Sequence, residues 1–263
     1  MDAIRVERSE GLVTITLNRP EKKNAIDAAS WNELDRTFAE LTIDPDARAV
    51  ILTGAGGNFS AGADLSGSKT GMGLTGRPVQ PIVSEMRVVG DIILRLARMP
   101  KPTLAVVDGV CVGVAMGLAL ACDLVLASDR ARFSEIFAKR GLALDGGTSW
   151  LLPRRVGLGK AKELAYFADF VDAKEAASIG LVNKVVPAGE LDAAAAEWGR
   201  RLAAGPTLAL GLSKRLLDSS ESVTLAQAFE DEARCQHVTY SSEDMREGIK
   251  AYMERRDPRF TGR

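Results

Sequence analysis

Two short, nearly apolar runs, Ala49-Val50-Ile51-Leu52-Thr53 and Pro102-Thr103-Leu104-Ala105-Val106-Val107, each lead into glycine-containing turns with a helical pattern beyond them. Runs this short and this apolar read as buried strands. Leu124-Val125-Leu126-Ala127 and Ala131-Arg132-Phe133 are further strands of the same kind. Before them, Ile4-Arg5-Val6-Glu7-Arg8 and Leu12-Val13-Thr14-Ile15-Thr16-Leu17 alternate around Glu10-Gly11, the mark of a hairpin. Ser30 is expected to cap a helix running to about Leu41, with Trp31, Leu34, Phe38 and Leu41 on one stripe. Residues 82–99 are helical in pattern, and another helix opens near Gly113. Strands alternating with helices predict an α/β fold. From about Leu191 the strands stop, and residues 193–203, 207–217, 225–239 and 244–256 read as consecutive amphipathic helices. We place a boundary near Gly205-Pro206, dividing a core (1–204) from a helical packing or oligomerisation region (205–263).

Composition removes several function classes. Formal net charge is −1, so there is no global electrostatic case for nucleic acid or an anionic membrane. The longest apolar stretch, 110–121, is broken by Gly113 and Gly117 and is too short to span a bilayer. The first residues run directly into a strand pattern without a basic-then-apolar segment, and the cysteines (Cys111, Cys122, Cys235) are odd in number. A cytoplasmic location is therefore expected. His237 is the only histidine and lies in a polar helical segment, so a multi-histidine metal site is impossible and a Ser-His-Asp triad would have to use that residue.

What remains is the pair of glycine turns. Asn58-Phe59-Ser60-Ala61-Gly62-Ala63-Asp64-Leu65 and Val112-Gly113-Val114-Ala115-Met116-Gly117 each follow a strand. A helix start leaves N–H groups unpaired and favours negative charge there. Two such turns facing one another would hold a carbonyl oxygen between two N–H donors, which a developing enolate requires. Glycine turns after strands are common, however, and either turn alone is adequately explained by chain geometry.

The motifs together resemble the enoyl-CoA hydratase/isomerase (crotonase) superfamily. The resemblance is carried by Asn18-Arg19-Pro20-Glu21-Lys22-Lys23-Asn24-Ala25, Phe59 to Leu65, Asp108-Gly109 through Cys122-Asp123, Ala131-Arg132-Phe133 through Val156-Gly157, Ile179-Gly180-Leu181-Val182-Asn183 and the ending Pro258-Arg259-Phe260-Thr261-Gly262-Arg263, all in collinear order. It implies a spiral of ββα units with an α-helical C-terminal trimerisation region, as homotrimers or dimers of trimers. It implies an acyl-CoA thioester as substrate, the coenzyme A being part of that substrate, with no separate cofactor and no metal. By the family pattern the oxyanion donors are the N–H groups of Ala61 and Val114, preceded by Gly113. Ala25, Ala61, Ala63, Asp64 and Leu65 line the adenine and pantetheine path. Lys22 (or Lys23) meets a CoA phosphate, and Lys250 and Phe260 reach the CoA of a neighbouring subunit.

The family's hydratases use two glutamates to activate water and protonate carbon. Those positions fall here on Gly117 and Phe137, and neither residue moves a proton. The stretch Gly141-Leu142-Ala143-Leu144-Asp145-Gly146-Gly147 instead resembles dienoyl-CoA and epoxy-CoA isomerases, in which an aspartate shuttles a proton; it maps onto Asp145. An Asp-Gly turn is the plainer account of that residue. Glu135 is an alternative acid, expected at an exposed edge, and Glu85 and Asp91 are expected as solvated helix charges. Phe137, Trp150 and the segment 66–81 are expected to shape the acyl pocket. The resemblance favours an isomerase using Asp145, against a hydratase with a repositioned acid or an acyl-CoA binder without catalysis.

Overall fold

A computed structural model describes residues 2–66 and 82–263. Of the segment 66–81, residues 67–81 lie outside the described residues. Strands β1 (Ile4–Ser9) and β2 (Leu12–Leu17) form the predicted antiparallel hairpin, with Ile4 opposite Leu17. Beyond it β3 (Ala49–Gly54), β4 (Thr103–Val107), β6 (Leu124–Ser128) and β9 (Lys184–Val186) add in parallel, giving a sheet ordered β1-β2-β3-β4-β6-β9. A second, three-stranded sheet contains β5 (Val110–Val112), β7 (Arg132–Ser134) and β8 (Val171–Asp172). Isolated bridges extend its direction, Ser60 to Cys111 and Ile26 to Ala63.

The apolar runs alternate between two cores because strand side chains alternate between faces. Val50, Leu52, Ala105, Val107, Val125 and Ala127 point into the larger core, shared with α1 (Ala28–Ile43), α2 (Ile82–Ala97) and α3 (Val114–Ala121). Ile51, Leu104, Val106 and Leu126 point to the other face, where Leu191 and Ala195 of α7 (Leu191–Ala203) cover them. Burial on both sides is what permits nearly continuous apolar strands. Between β7 and α7 lie α4 (Thr148–Val156), α5 (Leu158–Phe167) and α6 (Ala173–Ser178).

The stripe on α1 lies as read: Trp31, Leu34, Phe38 and Leu41 are buried. Its cap is different. Asp27, not Ser30, is the N-cap, accepting from the Ser30 N–H at 2.9 Å and the Ser30 hydroxyl at 2.8 Å. A carboxylate is the stronger acceptor for the free N–H groups of a first turn, which moves the start of the helix upstream.

After α7 come α8 (Thr207–Ser219), α9 (Leu225–Tyr240) and α10 (Glu243–Glu254). Neither α8 nor α9 has a fully buried residue. The tail is clasped to the core by Arg48, which donates to the Phe260 and Gly205 carbonyls at 2.9 and 2.7 Å. Within the tail, buried Asp244 of α10 accepts from the Thr261 and Gly262 N–H groups and folds the last residues back on that helix. Among the described residues no helix is long and apolar enough to cross a membrane.

Asp27→Ala is expected to cost about 1–2 kcal/mol of stability through loss of the cap. Urea denaturation of this variant beside Ser30→Ala, which keeps the Asp27 acceptor for the backbone, should show the larger loss for Asp27→Ala.

Candidate active site

The first turn is held by polar groups buried inside it. Asn24, at φ 55°, donates its side-chain amide to the carbonyls of Ala55 (2.8 Å) and Asn58 (2.7 Å), while its own Oδ1 accepts from Arg19 N–H at 3.0 Å. The fully buried Ser60 hydroxyl donates to Asn24 O at 2.7 Å and accepts from Gly62 N–H at 3.1 Å. Asp64 accepts from Arg19 at 2.9 Å, Lys22 at 3.2 Å and Ser66 Oγ at 2.6 Å. The Ser66 hydrogen bonds, with those from Arg19 and Lys22, hold its carboxyl well below the usual range. The motif around residues 18–25 thus staples the second motif in place, and the Asp64 carboxylate is committed within the turn.

Gly62 brings the two turns together. Its φ of 93° belongs to glycine, and a Cβ there would stand 2.7 Å from the Val112 carbonyl oxygen and 4.0 Å from Val114 N. The next amide in the chain, that of Ala63, therefore lies against the start of α3. Gly113 enters that helix at φ 59°, its N–H spent on Ser134 O at 3.0 Å. Val114 is the first helical residue, so its N–H has no acceptor within the helix.

The Ala61 amide is not available to pair with that of Val114. The Ala61 N–H donates to Lys23 O at 2.9 Å and the residue is exposed. Around Ala63, Ile26 N–H donates to Gly62 O at 2.8 Å and Asp64 N–H to Ile26 O at 2.9 Å. In a parallel bridge of this form the middle residue turns its own N–H to the opposite side. That side faces the second turn. Gly62 is the signal the sequence offers, since a φ of 93° is open to glycine and hardly to other residues.

A third segment closes on the second turn. A Cβ placed on Gly146 would stand 3.0 Å from Val114 Cγ2 and 3.5 Å from Ile93 Cδ1, so the segment carrying Asp145 packs directly on Val114. The same segment abuts Gly117, where a Cβ would stand 3.0 Å from the Gly146 carbonyl carbon and would collide outright with its oxygen. No side chain fits at position 117. Asp145 is fixed through its backbone, its carbonyl accepting from Thr148 N–H (3.1 Å) and Thr148 Oγ1 (2.9 Å). Its carboxylate is not so satisfied: Oδ1 is buried without a hydrogen-bond partner, and burial pushes the carboxyl up to about 6.

The other predicted residues fall in three groups. Phe137 is buried, its ring 3.7 Å from where a Gly113 Cβ would be, and so backs the second turn. Ala25 and Leu65 border the first turn, Leu65 exposed, with Lys22 half-exposed at its rim. Lys250 lies exposed on α10, and Phe260 packs its ring near Gly248 of the same helix, on the C-terminal helices rather than the turns. Trp150 is exposed under the stacked Arg154 guanidinium. Asp91 is solvated as expected, but Glu85 and Glu135 are not: both are buried, at 3% and 1% exposure. Glu135 extends β7 inward instead of lying on an edge, and neither of its oxygens has a hydrogen-bond partner. Cys111 and Cys122 are buried thiols; burial raises Cys111 well above the usual range and pushes Cys122 up to about 12, which rules them out as nucleophiles at neutral pH.

Residues 7–263 match the family model described as Enoyl-CoA hydratase/isomerase. The chain is 38% identical to a Rhodobacter capsulatus protein named "Probable enoyl-CoA hydratase", over 99% of this chain and 98% of that one. It is 36% identical to the 1,2-epoxyphenylacetyl-CoA isomerase of Escherichia coli (strain K12), over 100% of both. The crystal structure of an enoyl-CoA hydratase from Bacillus anthracis superimposes with a TM-score of 0.92 at 29% identity, covering 99% of this chain and 100% of that one.

Gly117→Glu, which would restore a carboxylate at the first hydratase position, is expected to destabilise by more than about 2 kcal/mol through overpacking against Gly146. Equilibrium denaturation measures it.

Proposed function

We propose that this chain, which belongs to the enoyl-CoA hydratase/isomerase family, is an acyl-CoA isomerase that uses Asp145 to move a proton along an unsaturated acyl chain. The observation that carries this is Asp145 itself: a buried, unpartnered carboxylate oxygen on the segment that packs on Val114 and leaves no room for a side chain at Gly117. Asp145 takes a proton from an acyl carbon, and the electron pair moves to the thioester oxygen. The N–H groups of Ala63 and Val114 hold that oxyanion, and protonated Asp145 returns the proton at a different carbon. Atoms and charge balance without water, cofactor or metal. An acid near 6 is ionised at neutral pH yet basic enough to accept a proton.

On this proposal Ala25, Ala61, Ala63, Asp64 and Leu65 border the path of the pantetheine and adenine, with Lys22 at the rim for a phosphate. Asp64 shapes that path by pinning the turn. Lys250 and Phe260 serve the CoA of a neighbouring copy. The copies would meet through the C-terminal helices as a trimer or dimer of trimers, since Leu217, Leu225 and Phe229 are 72%, 71% and 61% exposed within one chain. The free thiols suit a reducing, cytoplasm-like compartment. A hydratase is the second reading, favoured by the name of the Rhodobacter capsulatus relative and by the burial of Glu135.

Incubation with 2-enoyl, 3-enoyl and dienoyl-CoA in deuterated water, read by mass spectrometry, separates the readings. A shifted double bond with chain deuterium and no added water is expected; a mass gain of one water would replace the isomerase with a hydratase, and binding without conversion would leave a non-catalytic carrier. Asp145→Asn should lower kcat by about 10²–10⁴ while thioester binding persists. Wild-type kcat/KM should fall about tenfold per pH unit below about 6. A carboxyl raised on folding binds more protons in the folded state, so it costs stability as pH rises from about 4 through about 6. Asp145→Asn should therefore be the more stable protein at pH 7, by about 1–2 kcal/mol after allowance for partial exposure, and lose that advantage below about pH 4.

Phe229→Glu is expected to shift the native mass toward the monomer in light scattering.

A further inference from the structure

Glu135 is a buried acid that the proposed proton shift does not use. It follows Ser134 at the end of β7 and sits among Met116 of α3, Phe133, Leu164 of α5 and Leu181. At 1% exposure, with neither oxygen hydrogen-bonded, its ionised form would be without compensation, whereas the uncharged acid is far cheaper to bury.

The groups near it are Asp145 from the segment before α4, Cys111 from β5, and Asp169, which belongs to the same cluster and is paired with Lys139 at 2.8 Å. No cation faces it among the described residues. Thr148 stands between the two acids. Its hydroxyl is near enough to Glu135 to lower the carboxyl somewhat, yet its proton goes to the Asp145 carbonyl at 2.9 Å. Glu135 is therefore in the wall directly behind the residue that fixes Asp145.

Resting on the isomerase reading, we infer that Glu135, as the uncharged acid, is a positioning residue that keeps Asp145 the sole anion beside the oxyanion pair. Burial first, and the Asp145 charge after it, push the Glu135 carboxyl up to about 8. The two acids thus ionise in turn as pH rises, Asp145 first and Glu135 after it. An ionised Glu135 would put a second negative charge behind Asp145. That charge would stay in the wall while the Asp145 charge passes to the thioester oxygen, so the site would hold two anions at once. Like charges in a low-dielectric wall repel strongly. The reaction should then have a window: Asp145 must be ionised and Glu135 must not.

The test combines a pH–rate profile with pH-dependent denaturation on wild type, Glu135→Gln and Asp145→Asn. Wild-type kcat/KM should be bell-shaped, with limbs near 6 and 8. Glu135→Gln should lose the alkaline limb, so that at one pH unit beyond it the variant outpaces wild type by about tenfold. An alkaline limb unmoved by Glu135→Gln overturns the inference. So does loss of turnover at every pH with thioester binding intact, which would make Glu135 a direct proton donor. Denaturation gives a readout independent of turnover. Because the folded protein holds the Glu135 proton to about pH 8 and the unfolded chain only to about 4, the stability advantage of Glu135→Gln should widen between those values and then level off. In an Asp145→Asn background it should level off at lower pH, since one source of the raise is gone. A constant difference across pH would show an ionised, merely structural glutamate and overturn the inference. Absence of wild-type turnover on every substrate would remove the isomerase reading and the catalytic role of Glu135 with it, while the denaturation series would still report whether the acid is neutral.

Discussion

The site is organised by backbone meeting backbone at Gly62. With a Cβ at that position only 2.7 Å from the Val112 carbonyl oxygen, any side chain would force the first turn away from the second. The Ala63 amide would then lose its place beside Val114, and the proposed pairing of two donors on one oxygen would go with it. Much of the surrounding polar structure serves that approach. Asn24 and Ser60 satisfy the buried turn from inside, and Arg19 with Asp64 ties it to the preceding segment. Buried polar groups that are fully paired stiffen what they surround. Donors fixed in advance are what make an oxyanion hole effective, because nothing has to reorganise as charge appears.

The acids lie in the opposite condition. Asp145 and Glu135 each keep buried carboxylate oxygens without hydrogen bonds, in a chain whose other buried polar side chains are mostly well partnered. Such groups cost stability, and they concentrate where chemistry needs a shifted proton affinity. The Gly146 segment explains why the acid sits where it does. By pressing on Gly117 it leaves no space for a side chain there, and by resting on Val114 it brings the backbone beside Asp145 to the start of α3. The Phe137 ring backs the same turn from behind Gly113.

The α/β order, the hairpin, the α1 stripe and the run of C-terminal helices were legible because they depend on local periodicity and turn chemistry. The motifs that resemble the crotonase superfamily carried the family. Other readings failed. The α1 cap was missed locally, since Asp27 three residues upstream takes the place of Ser30. The rest turn on where a distant segment lies: the Ala61 N–H is taken by Lys23 O, and Glu85 and Glu135 are buried rather than exposed.

By itself, then, the amino-acid order determined the elements, their alternation and the family, because strand and helix periods are properties of neighbours along the chain. Only the tertiary structure decided that the Ala61 amide is spent on Lys23, that no side chain fits at position 117, and that Glu135 and Asp145 carry buried carboxylate oxygens. Those depend on contacts between segments far apart in the chain, such as 62 with 112 and 117 with 146, and packing at such separations is set by the sum of the whole core.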